Sequence, residues 1–458
     1  MAVEKDLNSP LASKTTYNSL KELSFTKSRG ATAASKVILL VSGIANSLLL
    51  PLVLEQSAVG VFFQAQVAIA ALSTVAQFGF TFTIPHFLST YIAQNKLAEA
   101  RFFIVSVTFA SMLISAVLAS FYFIFLFFLK NSFGIFDSMI WICVIMIASF
   151  NAQTMISCEI LRALRSYGLA NYLITLSSIF IPVYIGIVFI FSDKSEIHYV
   201  LYCGLTGSFL VFLLSIMELH GRIKKLPRKR FHKKRIVVFT RKSIPNLLSS
   251  LVLFLVSQAD ILLLSQWYGA KEVAVYGIAT RVSGLLLFPL AVANAALAPV
   301  AVEYRISQRN AELRKLVSST ARNSTFLASL AYFAFLLFGY YLISFWNEAY
   351  IEAYYLFAIL GFAQVIHAAC GAAGVLLMTG GQQVLTMRIT LVVGGFTILL
   401  AISGLEYFGV AGLAAAMAIG NILQVSLFAF QARQHFNLDT TVFGIHPRQS
   451  SLAEVSPS

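Results

Sequence analysis

Charge is what this sequence has least of. Only 11% of its 458 residues are Asp, Glu, Lys or Arg, against about 25% in an average soluble domain. Acid is the scarcer sign, with 19 Asp and Glu against 33 Lys and Arg. A soluble chain of this length is excluded. Cysteine is scarce too. Cys143, Cys158, Cys203 and Cys370 each fall in an apolar run, with no CxxC or Cys/His spacing, so neither a disulfide framework nor a metal site is implied. No GxxxxGK[ST], HExxH or GxSxG occurs, which argues against ATP-driven transport by this chain and against hydrolytic enzymology. No catalytic residue, cofactor or metal is expected. Residues 1–32 are polar and lack the apolar core and cleavage site of a signal peptide.

What is present is apolar. Hydrophobic residues make up 58% of the chain, and mean hydropathy is +0.81. Repeated apolar runs of about 18 residues or more predict an all-α polytopic membrane protein. Twelve spans are expected, at 33–54, 59–84, 102–129, 138–161, 169–192, 198–219, 244–267, 273–300, 323–346, 353–378, 388–406 and 409–432. With the N-terminus inside, 29 of the 33 Lys and Arg fall in inner segments, and only Lys130, Lys194 and Lys271 fall outside. That asymmetry predicts two cytoplasmic termini. The domain plan is a tail (1–32), a six-helix bundle (33–220), a linker (221–243), a second six-helix bundle (244–432) and a tail (433–458).

The linker Gly221–Lys242 holds eleven basic residues and no acidic one. It reads as a topological anchor between halves or as a patch for anionic membrane lipid. Nucleic acid is not expected as a partner. The halves themselves are related. A shift of 214 positions lays Phe62 on Tyr276, Pro85 on Pro299, Gln94 on Gln308, Arg101 on Lys315 and Asn46 on Asp260. Six spans per half make the repeat parallel, and repeat-built transporters place their pathway near the midplane at the interface of the halves. Pro51, Pro85, Pro182, Pro245, Pro289 and Pro299 are candidate kinks within spans.

Polar groups at membrane depth are the candidates for function. Asp260 and Arg281 lead them, one in each of two apolar runs joined by Tyr268–Glu272. A charge at the centre of a membrane helix costs about 2.5–3.5 kcal/mol on insertion scales. Both lie about 10 Å from the shared turn at 1.5 Å per residue, so they are able to meet. Three readings are open: an ion pair pinning two helices, an arginine that receives phosphate, or a carboxylate that couples transport to an ion. A neighbouring cation opposes protonation of a carboxylate, so the last two compete. Asn46 and Gln66 belong to the same set, as do Gln64, Gln77, Asn151, Gln153, Gln258, Asn294, Asn421 and Gln424. His86 and His367 read as packed histidines or relay groups. Arg162, Arg165 and Arg388 at the expected inner mouth read as topology signals or as a trap for an anionic head group.

Four stretches carry a resemblance: Arg29–Leu54, Val59–Arg101 ending in TYIAQNKLAEAR, Tyr276–Tyr304 with Pro289 and Pro299, and Leu405–Gln424 with its Gly-rich opening. Through them the chain resembles the multidrug/oligosaccharidyl-lipid/polysaccharide exporter superfamily, and within it the polysaccharide flippases of the Wzx type. The resemblance implies a MATE-like fold of two parallel-related six-helix bundles in the bacterial inner membrane. It implies a flippase that moves an undecaprenyl-pyrophosphate-linked oligosaccharide, a repeat unit of O-antigen, capsule or exopolysaccharide, to the outer leaflet. Coupling to a proton or sodium ion is part of that expectation, as are a polysaccharide polymerase and a chain-length regulator as partners. A small-molecule antiporter of the same superfamily is the alternative, though such carriers of cations generally need acidic cavity residues.

Overall fold

The computed structural model describes residues 35–444, apart from positions 36, 37, 40, 44, 47, 48, 95, 130–137, 165, 192–195, 225, 228–232 and 308. Every regular element among the described residues is helical. Lipid offers backbone groups no hydrogen-bond partner, and a helix satisfies them internally. The chain divides into two compact units, 1–258 and 259–458.

The first unit contains α1 (Gln56–Gln77), α2 (Phe80–Ala93), α3 (Leu97–Leu129), α4 (Ser138–Ala163), α5 (Tyr167–Phe191), α6 (Ile197–Ile223) and the first part of α7 (Lys233–Trp267). Helix α4 is the hub and packs on α1, α2, α3, α5 and α6. The core at one end joins Phe80, Ile84 and Leu88 to Phe103, Ile156, Ile160 and Phe239, with the Phe103 and Phe239 rings edge-on at 4.8 Å. Between α1 and α2 the chain bends through two left-handed residues, Phe78 (φ 49°) and Gly79 (φ 70°). Gly79 is required there twice over. Its φ suits glycine, and a Cβ would stand 2.5 Å from the Leu247 backbone nitrogen on α7. Below the bend the Thr83 and Ser243 hydroxyls are 2.8 Å apart, and Asn246 Nδ2 donates to Thr83 Oγ1 at 3.1 Å.

The second unit contains the rest of α7, then α8 (Ala270–Leu285), α9 (Phe288–Ile306), α10 (Asn310–Trp346), a 3₁₀ turn (Glu348–Tyr350), α11 (Glu352–Cys370), α12 (Ala373–Thr379) and α13 (Gln383–Phe436). Helix α11 packs on α8, α10 and α13. The expected single span 273–300 is broken at Leu286–Leu287 with a bend of 54°. Pro289, second residue of α9, has no N–H to return to residue 285, so the helix restarts in a new direction. Helix α13 reverses at Gly409 (φ 64°). Its arms lie so close that a Cβ on Gly404 would stand 2.6 Å from the Gly412 oxygen, and one on Gly420 would stand 2.0 Å from Thr397 Oγ1.

Nine helices among the described residues are long and apolar enough to cross a membrane, or ten if the bent α8–α9 pair is one span. Twelve are expected from the sequence. The first, 33–54, lies partly outside the described residues, and the last two fall in the two arms of α13. Helix starts recur at the spacing read from the sequence. Gln56, Leu97 and Ser138 open α1, α3 and α4, while Ala270, Asn310 and Glu352 open α8, α10 and α11, 214, 213 and 214 positions later.

Candidate functional site

Asp260 and Arg281 stand on the two arms of the α7–α8 hairpin, whose connection is only Tyr268 and Gly269. Tyr268 N–H closes α7 onto Leu264 O at 2.9 Å. The other end of the same residue reaches the α13 turn, where its hydroxyl would be 3.0 Å from a Cβ on Gly409. Asp260 Oδ1 accepts the Ile261 N–H at 2.8 Å, and Oδ2 accepts the Tyr276 hydroxyl at 3.1 Å. Tyr276 is fully buried, so its hydroxyl needs this partner. Arg281 Nη1 donates to Gly277 O, one turn back on its own helix, at 3.3 Å. Asp260 and Arg281 attract each other electrostatically across the hairpin. The arrangement is thus a triad, with a tyrosine hydroxyl and a peptide N–H holding the carboxylate beside a guanidinium.

Tyr276 is the residue that reasoning from isolated charges misses. A signal for it exists in the internal repeat. Where the second half has Asp260, Tyr276 and Arg281, the first has Asn46, Phe62 and Val67. Two polar gains, and one amide replaced by a carboxylate, meet in space.

The first unit holds a different kind of site. A cavity of about 460 Å³ opens between α1, α4, α5 and α6. Gln66, Ser73, Thr74 and Gln77 form one face of α1 at helical spacing, and Asn151 and Ser208 face them. No charged residue lines it among the described residues. The hydroxyls are partly spent locally: Gln77 Nε2 donates to Ser73 Oγ at 3.0 Å, and Thr74 Oγ1 donates to Ala70 O at 2.8 Å. Beside the cavity, Gln153 Nε2 donates to Ser111 Oγ and Ser111 Oγ to Ala76 O, both at 2.9 Å, which laces α4, α3 and α1 together.

The remaining candidates scatter. Asn46 is partly buried, and its Oδ1 has no hydrogen-bond partner among the described residues. Arg162 is tied to its neighbour Glu159 and donates to Asn171 Oδ1 at 3.2 Å, joining the end of α4 to the start of α5. Arg165 lies outside the described residues. His367 hydrogen-bonds Asn421, while its buried Nδ1 has no partner among the described residues. Arg388 is exposed on α13. Among the described residues no group of three His, Cys, Asp or Glu side chains is placed to hold a metal ion.

The model of the polysaccharide biosynthesis protein family matches residues 29–305. The chain belongs to that family. No protein of curated function matches this family member by sequence. Its fold recurs in solved structures. An inward-facing multidrug resistance MATE family transporter of the MOP superfamily is 17% identical, with 88% of this chain and 94% of that one covered and a TM-score of 0.63. The lipid II flippase MurJ, in an inward closed conformation, is 16% identical over 88% and 86% of the two chains, with a TM-score of 0.65. A MOP superfamily transporter from Pyrococcus furiosus, whose binding pocket is described as of reverse polarity, is 13% identical over 90% and 95%, with a TM-score of 0.60. The polysaccharide biosynthesis family member thus shares its fold with MOP superfamily transporters, and the expected family is borne out. These relatives are transporters and a flippase rather than enzymes.

Proposed function

We propose that this multi-pass membrane protein is a flippase for a lipid-linked oligosaccharide. Its substrate is an undecaprenyl-pyrophosphate-linked repeat unit, carried from the cytoplasmic to the outer leaflet of the inner membrane by alternating access and driven by an ion gradient. The observation that carries the reading is membership of the polysaccharide biosynthesis family. The Asp260–Tyr276–Arg281 triad supports it, because a guanidinium at membrane depth is costly unless used and its fork of donors suits a phosphate. The excess of Lys and Arg in one set of connections supports an orientation with both termini in the cytoplasm.

The test is a gene deletion followed by leaflet-resolved labelling of lipid-linked repeat units. Units should accumulate on the inner leaflet and clear on complementation. Arg281→Ala should fail to complement and Arg281→Lys should restore only part. Normal flipping by Arg281→Ala removes the phosphate role. A small-molecule antiporter is the second reading, favoured by the cavity of the first unit, whose size falls in the range of small-ligand pockets, and weighed against by the lack of an acidic lining residue among the described residues. It predicts unchanged surface polysaccharide and raised drug sensitivity on deletion.

A further inference from the structure

The chain does not leave the bundle where α13 ends. Asn437 takes a left-handed turn (φ 50°), and 437–444 fold back onto the end of the second unit. Leu438 is buried among Leu297, Leu313, Val317 and Leu376. Thr440 is fully buried, and its hydroxyl donates to Cys370 O at 2.9 Å. Val442 N–H donates to Ala369 O at 2.9 Å. Gly371 makes room for the strap, since a Cβ there would stand 2.5 Å from Thr440 O.

Between the strap, α10 and α13 lies a cavity of about 640 Å³. Its charged groups are Arg314, Arg433 and Asp439. The acid is turned into its own loop, where Asp439 Oδ1 accepts both the Thr441 N–H at 3.0 Å and the Thr441 hydroxyl at 2.7 Å. Arg314 Nε is buried with no hydrogen-bond partner among the described residues. A buried donor on a charged group without an acceptor is costly, so the site favours an occupant that carries oxygens. At the mouth stand Phe430, 54% exposed, and Phe443, 81% exposed. These exposed phenylalanine rings place apolar surface directly beside the two cations.

We propose that this cavity binds a phosphate-bearing anion, with Arg314 and Arg433 receiving its oxygens and the two phenylalanines covering any apolar group attached to it. Two arginines against one internally bonded carboxylate leave the site cationic, and arginine's planar fork matches phosphate. The site goes beyond the flippase reading, since none of Asp260, Tyr276 or Arg281 lines it.

The test uses the full chain in uncharged detergent, titrated calorimetrically with inorganic phosphate and with dihexanoyl phosphatidic acid. Saturable binding of at least one probe is expected. Arg314→Gln should weaken it about tenfold or more, the loss of one charge-assisted hydrogen-bond pair. Arg433→Gln, at an exposed position, should weaken it while leaving the melting temperature unchanged, and Asp439→Asn should strengthen it. Preference for the lipid identifies a headgroup, whereas equal affinity identifies a free phosphate. No saturable binding of either probe, or affinity unchanged in both arginine variants, overturns the proposal.

Discussion

The hydroxyl of Tyr276 is one of two donors that hold the Asp260 carboxylate. It fixes one carboxylate oxygen while Ile261 N–H fixes the other. A hydrogen bond to a charged acceptor contributes about 1.5–3 kcal/mol, although interhelical polar bonds in membranes average nearer 0.6. A double-mutant cycle of Tyr276→Phe and Asp260→Asn, read by thermal unfolding in detergent, should give a coupling of about 1 kcal/mol. A coupling near zero would mean the carboxylate is held by other groups. In the flipping assay Tyr276→Phe should slow transport severalfold without loss of expressed protein. The two charges were legible because full charges in apolar runs are rare. Tyr276 was legible only through the repeat, where Phe62 is its counterpart, because a tyrosine alone in a membrane helix is unremarkable. Arg162, which the sequence offers as a topology signal or a trap for an anionic head group, is held by Glu159 three residues earlier and by Asn171 on the next helix.

Among elements, the α13 hairpin makes the sharpest claim about stability. Its reversal at Gly409 coincides with the expected boundary between the last two spans, so the turn was legible from its glycines. The closeness of the arms was not, since it depends on Gly404 of one arm meeting Gly412 of the other and on Gly420 meeting Thr397. Gly404→Ala or Gly412→Ala should cost about 1–3 kcal/mol, the usual range for overpacking. Gly395→Ala is the control. That glycine lies on the same helix with open space where its Cβ would go, and the change should stay within about 0.5 kcal/mol. Melting temperatures of the purified variants decide the matter, and equal losses at 395 and 412 would contradict the hairpin. Two other elements escaped the sequence. The bend at Phe78–Gly79 has no proline at the break to announce it. The strap 437–444 is short and polar, with no periodicity, and only its long-range bonds to α11 reveal that it is buried.

At the scale of the whole molecule, the spacing of 214 positions is the most informative thing the sequence contains. It anticipates where helices begin in both units to within one residue at three places, because insertions that would spoil the register are absent between them. It does not anticipate the bends, which fall at 78–79 in one unit and 286–287 in the other and so depart from the offset. Orientation is open to direct measurement. In a cysteine-free background, Lys271→Cys should react with an impermeant maleimide on intact cells, and Ser307→Cys only after permeabilisation. The reverse pattern would invert the topology. One feature of the first unit also bears on time. The bend at Gly79 is braced by α7, and the Thr83–Ser243 contact spans 160 positions. At about 5–20 residues per second of synthesis, that partner leaves the ribosome roughly 10–30 s after Thr83. The nascent first bundle therefore waits, its bend unbraced, until the basic segment 221–242 has been made and the next helix has begun.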